Sequence, residues 1–177
     1  YVKGQGEDYA QDVQNRLRRG ELMNADSIHF ADSLRYYTLR QHRTVYGGGG
    51  IMPDYFVPLD TTIYTRFHRA LQARNLVLNA NLRYVDDHRR ELQHQFRDFE
   101  TYRQSFEIPQ SVIDNVLEEG EKLDIKPSDK KERQLTIHYM KLQLKALVAR
   151  DLWGMDEYFA IMNESSPMVQ EAIRLLE

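Results

Sequence analysis

Cysteine is absent from all 177 residues. That excludes a disulfide framework, a thiolate nucleophile and a cysteine-bound metal, and it leaves the redox state of the compartment open. A charge excess is missing as well. Lysine plus arginine number 24 and aspartate plus glutamate 27, for a formal net charge of −3. Nucleic-acid binding leaves a clustered basic excess, which this balance does not provide. No apolar run approaches the roughly 18 residues of a membrane span, and no signal-peptide pattern is present. Tryptophan occurs once and proline five times. Glycine is scarce, at nine residues, but four of them are consecutive. What remains is a chain 41% hydrophobic and 29% charged, enough for the core of one ordinary domain with an appendage.

The glycines are the most informative feature. Arg43-Thr-Val-Tyr46 leads into Gly47-Gly48-Gly49-Gly50 and leaves through Ile51-Met52-Pro53-Asp54 toward Tyr55-Phe56-Val57-Pro58. A helix cannot carry four glycines and an internal proline. The segment therefore reads as strand, sharp turn, strand, with a backbone that a neighbour approaches closely. It does not read as a phosphate loop, because Gly-Lys-Ser/Thr entering a helix is missing. If it contacts a ligand, the expected ligand is a peptide at an exposed edge.

Before residue 59 the signals are mixed. Residues 7–19 have helical composition, with Tyr9, Val13 and Leu17 in register and Gly20 as the stop. Ile28, Phe30, Leu34 and Tyr36-Tyr37-Thr38-Leu39 favour extended structure. Two or three short strands are expected within residues 36–58, and these are too few to fold alone.

From Asp60 onward the pattern is helical. Asp60 is the expected N-cap of a helix that buries Ile63, Phe67, Ala70 and Leu71. Leu78, Leu82, Val85, Leu92 and Phe96 define the inner face of a second, and Asp98 caps a third holding Phe99, Tyr102 and Phe106. Pro109 suits the first turn of a fourth, with Val112, Ile113, Val116 and Leu123 inward. Asp129 and Glu132 have capping-box spacing ahead of a long helix over residues 129–153. That helix has two apolar stripes, Leu135/Tyr139/Leu142/Ala146/Ala149/Trp153 and Ile137/Met140/Leu144/Leu147/Val148, so it belongs at the centre of the bundle. Two short helices follow, one with Tyr158, Phe159 and Met162, the other opened by Pro167 with Val169, Ala172, Ile173 and Leu176. The fold class is thus mainly α (α+β): a multi-helix bundle over residues 60–177 and, over residues 1–59, a helix plus a small β element.

No catalytic constellation emerges. The serines (Ser27, Ser33, Ser105, Ser111, Ser128, Ser165 and Ser166) sit at turns, helix starts or charged faces, and there is no Gly-x-Ser-x-Gly elbow. Lys122, Lys126, Lys130, Lys131, Lys141 and Lys145 lie in charged helical surroundings, unlike a desolvated catalytic lysine. Glu91 and His94 make one Glu-x-x-His, half of a bundle-core di-metal pattern whose second half is missing. The other histidines, His29, His42, His68 and His138, read as satisfied polar residues. No catalytic, metal or cofactor site is assigned.

The segment from Arg43 through Tyr46, Gly47, Gly48, Gly49, Gly50 and Ile51 to Pro53 and Asp54 resembles the tract that follows the catalytic core in carboxyl-terminal processing peptidases, or tail-specific proteases, of the Bacteroidetes type. The stretches Asn24-Ala-Asp-Ser-Ile-His-Phe30, Asp32-Ser-Leu34 and Ala149-Arg-Asp-Leu-Trp-Gly154 are also similar to that family, and Tyr1 resembles the last residue of the tract that closes its core. The resemblance implies a serine endopeptidase with a Ser–Lys dyad and a peptide-binding PDZ module, exported to the periplasm or envelope. None of these can be placed on the present residues. The opening Tyr1-Val-Lys-Gly is accordingly expected to be the interior of a longer polypeptide. The chain would be the non-catalytic C-terminal part. Its strands would complete the protease sheet, and its bundle would cover, scaffold or dimerise the core. Its partners would then be the upstream core and PDZ module, the peptide substrates of the parent and a second copy. The competing expectation is a free-standing helical interaction module whose glycine turn binds a peptide.

Overall fold

A computed structural model describes residues 11, 14–21, 23–28, 32–47, 55–58 and 64–177. The protein is mainly helical with a small two-stranded antiparallel sheet. It divides into two compact units, Tyr1–Asp60 and Thr61–Glu177.

In the first unit residues 14–18 are helical. Gly20 ends that helix at φ +78°. Its amide donates to Leu17 O and that of Glu21 to Arg16 O, the paired closure of a Schellman motif, which needs a left-handed residue here. Leu17 is exposed, while Tyr9 and Val13 lie outside the described residues. Single 3₁₀ turns, Ala25–Ser27 and Asp32–Leu34, precede strand β1, Arg35–Tyr37. Strand β2 is Thr44–Tyr46. The β1–β2 hairpin therefore turns at residues 38–43; the turn expected at Gly48–Gly50 lies outside the described residues. Thr38 N donates to Arg43 O, Arg43 N donates to Thr38 Oγ1, and His42 takes the positive φ of 47°. These contacts close the turn without glycine. Residues 55–58, expected to be strand, are not; Pro58 has no N–H to give a ladder.

Among its described residues the second unit is a bundle of seven helices: α1 Arg66–Ala73, α2 Leu76–Gln95, α3 Phe99–Ser105, α4 Gln110–Lys122, α5 Lys130–Leu152, α6 Met155–Asn163 and α7 Pro167–Leu176. Helix α5 packs against α1, α2, α4 and α6, the central position its two stripes require. Met140, Leu144, Ala146, Val148 and Ala149 are fully buried along it. Around it gather Leu71 of α1, Val77 and Val85 of α2, Ile113 and Val116 of α4, and Ile161 of α6. An aromatic group closes one side: Tyr102 stacks on Phe106 at 4.5 Å, and Phe96 meets both edge-on.

Several helix details depart from the pattern. Thr65, not Asp60, caps α1, accepting from His68 N at 3.0 Å; Asp60 and Ile63 lie outside the described residues. On α2 the buried stripe is Val77/Asn81/Val85/Leu92, so Leu78 is only partly covered and Leu82 is exposed. Asn81 takes the inward position in place of Leu82, and Asp151 of α5 accepts its amide at 2.6 Å. Leu123 and Leu135 are exposed at helix ends. Pro109 stands at the cap rather than within the first turn of α4. Helix α6 buries Ile161 and leaves Phe159 exposed, and α7 buries nothing.

Candidate functional site

The hairpin carries the motif residues that fall within the described structure: Arg43, Tyr46 and Gly47. Gly48, Gly49, Gly50, Ile51, Pro53 and Asp54 lie outside it. The register pairs Arg35 with Tyr46, Tyr36 with Val45 and Tyr37 with Thr44. Gly47 N extends the ladder by donating to Leu34 O at 2.8 Å. A Cβ built on Gly47 would stand 3.0 Å from the Tyr36 ring, so the ring lies across bare backbone at the first glycine. Arg35 sits over the Tyr37 ring at 5.8 Å.

Successive strand residues face opposite sides of a sheet. Tyr36 is 57% and Tyr37 58% exposed, and Val45 is exposed too. Both faces of the hairpin are therefore largely bare. Among the described residues no third strand pairs with either edge. Three residue pairs with Tyr36, Tyr37 and Val45 exposed, and no third strand among the described residues, form a surface suited to strand addition.

The buried polar side chains His68, Asn81 and Thr136 each have a structural partner, while His68 Nδ1, Asn81 Oδ1 and Arg103 Nε have none among the described residues. Thr65 Oγ1 and Thr136 Oγ1 share a hydrogen bond of 2.6 Å, which ties the start of α1 to α5. Asp129 accepts from Glu132 N, one half of the expected capping box. The other half fails. Glu132 turns its carboxylate to Ser128 N, Ser128 Oγ and Phe67 N instead, so it caps α1 across the bundle. The amides of Ser128 and Phe67 hold that carboxyl below its ordinary range. His68, 1% exposed, bonds through Nε2 to Gln143 Oε1 at 2.9 Å, whereas its Nδ1 has no partner. Burial lowers its basicity, and the Gln143 contact opposes that. Its ring meets Tyr139 edge-on at 5.0 Å, and the Tyr139 hydroxyl donates to Tyr64 Oη.

The candidate nucleophiles and bases are dispersed. Ser105 donates to Thr101 O, Ser165 to Met162 O and Ser128 to Glu132. Lys122 and Lys126 form exposed ion pairs with Glu119 and Asp124. Lys145 departs from its sequence reading. It is half-buried and donates through Nζ to Arg103 O at 2.6 Å, while Tyr102 Oη donates to Lys145 O at 2.8 Å. The two bonds lock α3 to α5. Its apolar helical neighbours were the only sequence hint of that burial. Glu91 and His94 lie on an exposed face of α2, and among the described residues no three His, Asp or Glu side chains gather as a metal cage.

Residues 67–154, just under half of the chain, match the model of a family described as of unknown function (DUF8443). The match runs from the first turn of α1 to Gly154, the cap between α5 and α6, and leaves the hairpin and the last two helices outside it. No curated protein and no solved structure matches the chain.

Proposed function

We propose that this chain is the non-catalytic C-terminal part of a carboxyl-terminal processing serine endopeptidase, the family its glycine tract resembles. The hairpin adds to the sheet of the protease core, and the bundle covers or scaffolds that core. The observation that supports the reading is the bare hairpin: Tyr36 and Tyr37 on opposite faces, both more than half exposed, in a sheet too small to be stable alone. A sheet contributed by upstream sequence would cover those faces and pair an edge. In this reading the Ser–Lys dyad and PDZ module lie on upstream residues, the parent works in the periplasm or envelope on protein tails, and no cofactor is involved.

The test is cleavage of an unfolded, C-terminally tagged substrate by the parent polypeptide, compared with the parent truncated after Leu59. Loss of cleavage with an intact core fold is expected. Absence of cleavage by both, where a control protease succeeds, overturns the protease reading. The closed core of the second unit favours a second reading, a free-standing helical interaction module. Unchanged cleavage by the truncated parent would favour a partner-binding role for the bundle.

A further inference from the structure

Helix α2 places Tyr84, His88 and Glu91 on one face at spacings of four and three. The α3–α4 connection brings Phe106, Glu107 and Pro109 against that face, and a cavity of about 550 Å³ opens between them. A second cavity of about 460 Å³ shares Tyr84, His88 and Pro109, so the two flank one aromatic pair. In that pair the Tyr84 and His88 rings are stacked, 4.6 Å apart and 27° from parallel. His88 Nδ1 donates to Tyr84 O at 3.0 Å, which fixes the imidazole against the tyrosine and leaves Nε2 outside the helix bonding. The Tyr84 ring lies 6.4 Å from Phe106, which the core holds in place.

The charges in the first cavity are one-sided. Glu91 and Glu107 line it and no lysine or arginine does. Neither carboxylate takes part in a hydrogen bond or ion pair among the described residues, whereas acidic neighbours in the bundle such as Glu100 and Glu119 are engaged. Glu91 stands close enough to Tyr84 to oppose ionisation of its phenol, with burial the larger cause. Two unengaged carboxylates beside a rigid π surface suit a flat, delocalised cation. A guanidinium stacks on aromatic faces and donates in a planar fork to carboxylates, and it loses less solvation than an ammonium. The volume falls within the range of small-ligand pockets and exceeds what one guanidinium needs, leaving room for the chain that bears it.

We infer that this groove is a binding site for an arginine side chain presented by a peptide or protein segment, with the Tyr84–His88 pair as the stacking face and Glu91 and Glu107 as the acceptors. The inference is independent of the protease reading, since it concerns the bundle alone.

The test titrates the full chain at low salt with a capped Gly-Arg-Gly-Arg-Gly peptide. The Tyr84 and His88 ring resonances are followed by NMR, and the titration is repeated with both arginines replaced by citrulline. Citrulline keeps the shape and removes the charge. The arginine peptide is expected to shift the two rings and to bind about tenfold more tightly than the citrulline peptide. A Glu91→Gln/Glu107→Gln variant, checked for an unchanged melting curve, is expected to lose the same factor. Equal binding of the citrulline peptide, shifts confined to other residues, or no shift at millimolar peptide overturns the inference. The citrulline arm uses the unaltered protein, so it decides even if the variant fails to fold.

Discussion

Gly120→Ala tests the packing argument most sharply, because two effects of opposite sign meet at one atom. Gly120 lies inside α4 and is buried. In an exposed helix the change would gain roughly 0.5–1 kcal/mol from the lower entropy of the unfolded chain. Here the new Cβ would stand 2.8 Å from Leu71 Cδ2, closer than carbon atoms tolerate. The next contact, Ile125 O at 3.6 Å, is ordinary, so the conflict is with Leu71 alone. Leu71 has 0% exposure and cannot swing into solvent. Over-packing of this kind costs about 1–3 kcal/mol. The net expectation is a loss of about 1 kcal/mol, or roughly 2–4 °C in melting temperature for a chain of this size. Urea unfolding followed by far-UV circular dichroism reads the change, provided the slope stays constant. Leu71→Ala alone should cost about 2–5 kcal/mol. In the double variant the alanine methyl enters the space Leu71 vacates, so the combined loss should fall short of the sum by about 1 kcal/mol. A Gly120→Ala protein as stable as the parent, together with strict additivity in the double variant, would refute the close approach of α4 and α1.

Four further outcomes follow from the same geometry. Tyr102→Phe removes the hydroxyl that donates to Lys145 O and should cost about 0.5–1.5 kcal/mol in the same unfolding assay, with little change in packing. His68 is held neutral by burial, so its folded-state basicity is depressed. The stability tied to its neutral form is present above the unfolded value of about 6.5 and is lost as pH falls toward the folded value. A His68→Gln variant should show a flatter stability profile between pH 7.5 and 5, and an unchanged profile would count against this. Asp124 holds the left-handed position that closes α4, at φ 57°, with Ile125 N donating to Gly120 O. Asp124→Gly should therefore raise the melting temperature, and a fall would mean that side-chain contacts outweigh backbone relief. Amide exchange should be fast across residues 35–46 and slow from Met140 to Ala149, with uniform protection sinking the bare-hairpin reading.

The amino-acid order determined a good deal by itself. Spacings of three and four fixed which segments are helices, and the doubled stripe on α5 marked it as central, because a helix apolar on two sides must be covered on two sides. Asp98 and Asp129 were legible as caps, since a short side-chain oxygen needs only its own next turn to act. Gly20 was legible as a stop for the same local reason.

What the tertiary structure alone decided depends on partners far away in the chain. Which of Asn81 and Leu82 turns inward was settled by Asp151, 70 residues on. Glu132 divides its carboxylate between Ser128 and the distant Phe67 N rather than reaching Asp129 N, so the capping box stayed half made. The hairpin closed through Thr38 and His42 before the glycines were reached, and β-pairing choices of this kind depend on turn geometry that composition does not encode. In the sequence Glu91 shows only as half of an incomplete Glu-x-x-His pattern. It became one wall of a charged groove only because the α3–α4 connection brings Glu107 to the lining of the same cavity. Periodicity reports the face a residue occupies. The opposing surface is supplied by the fold.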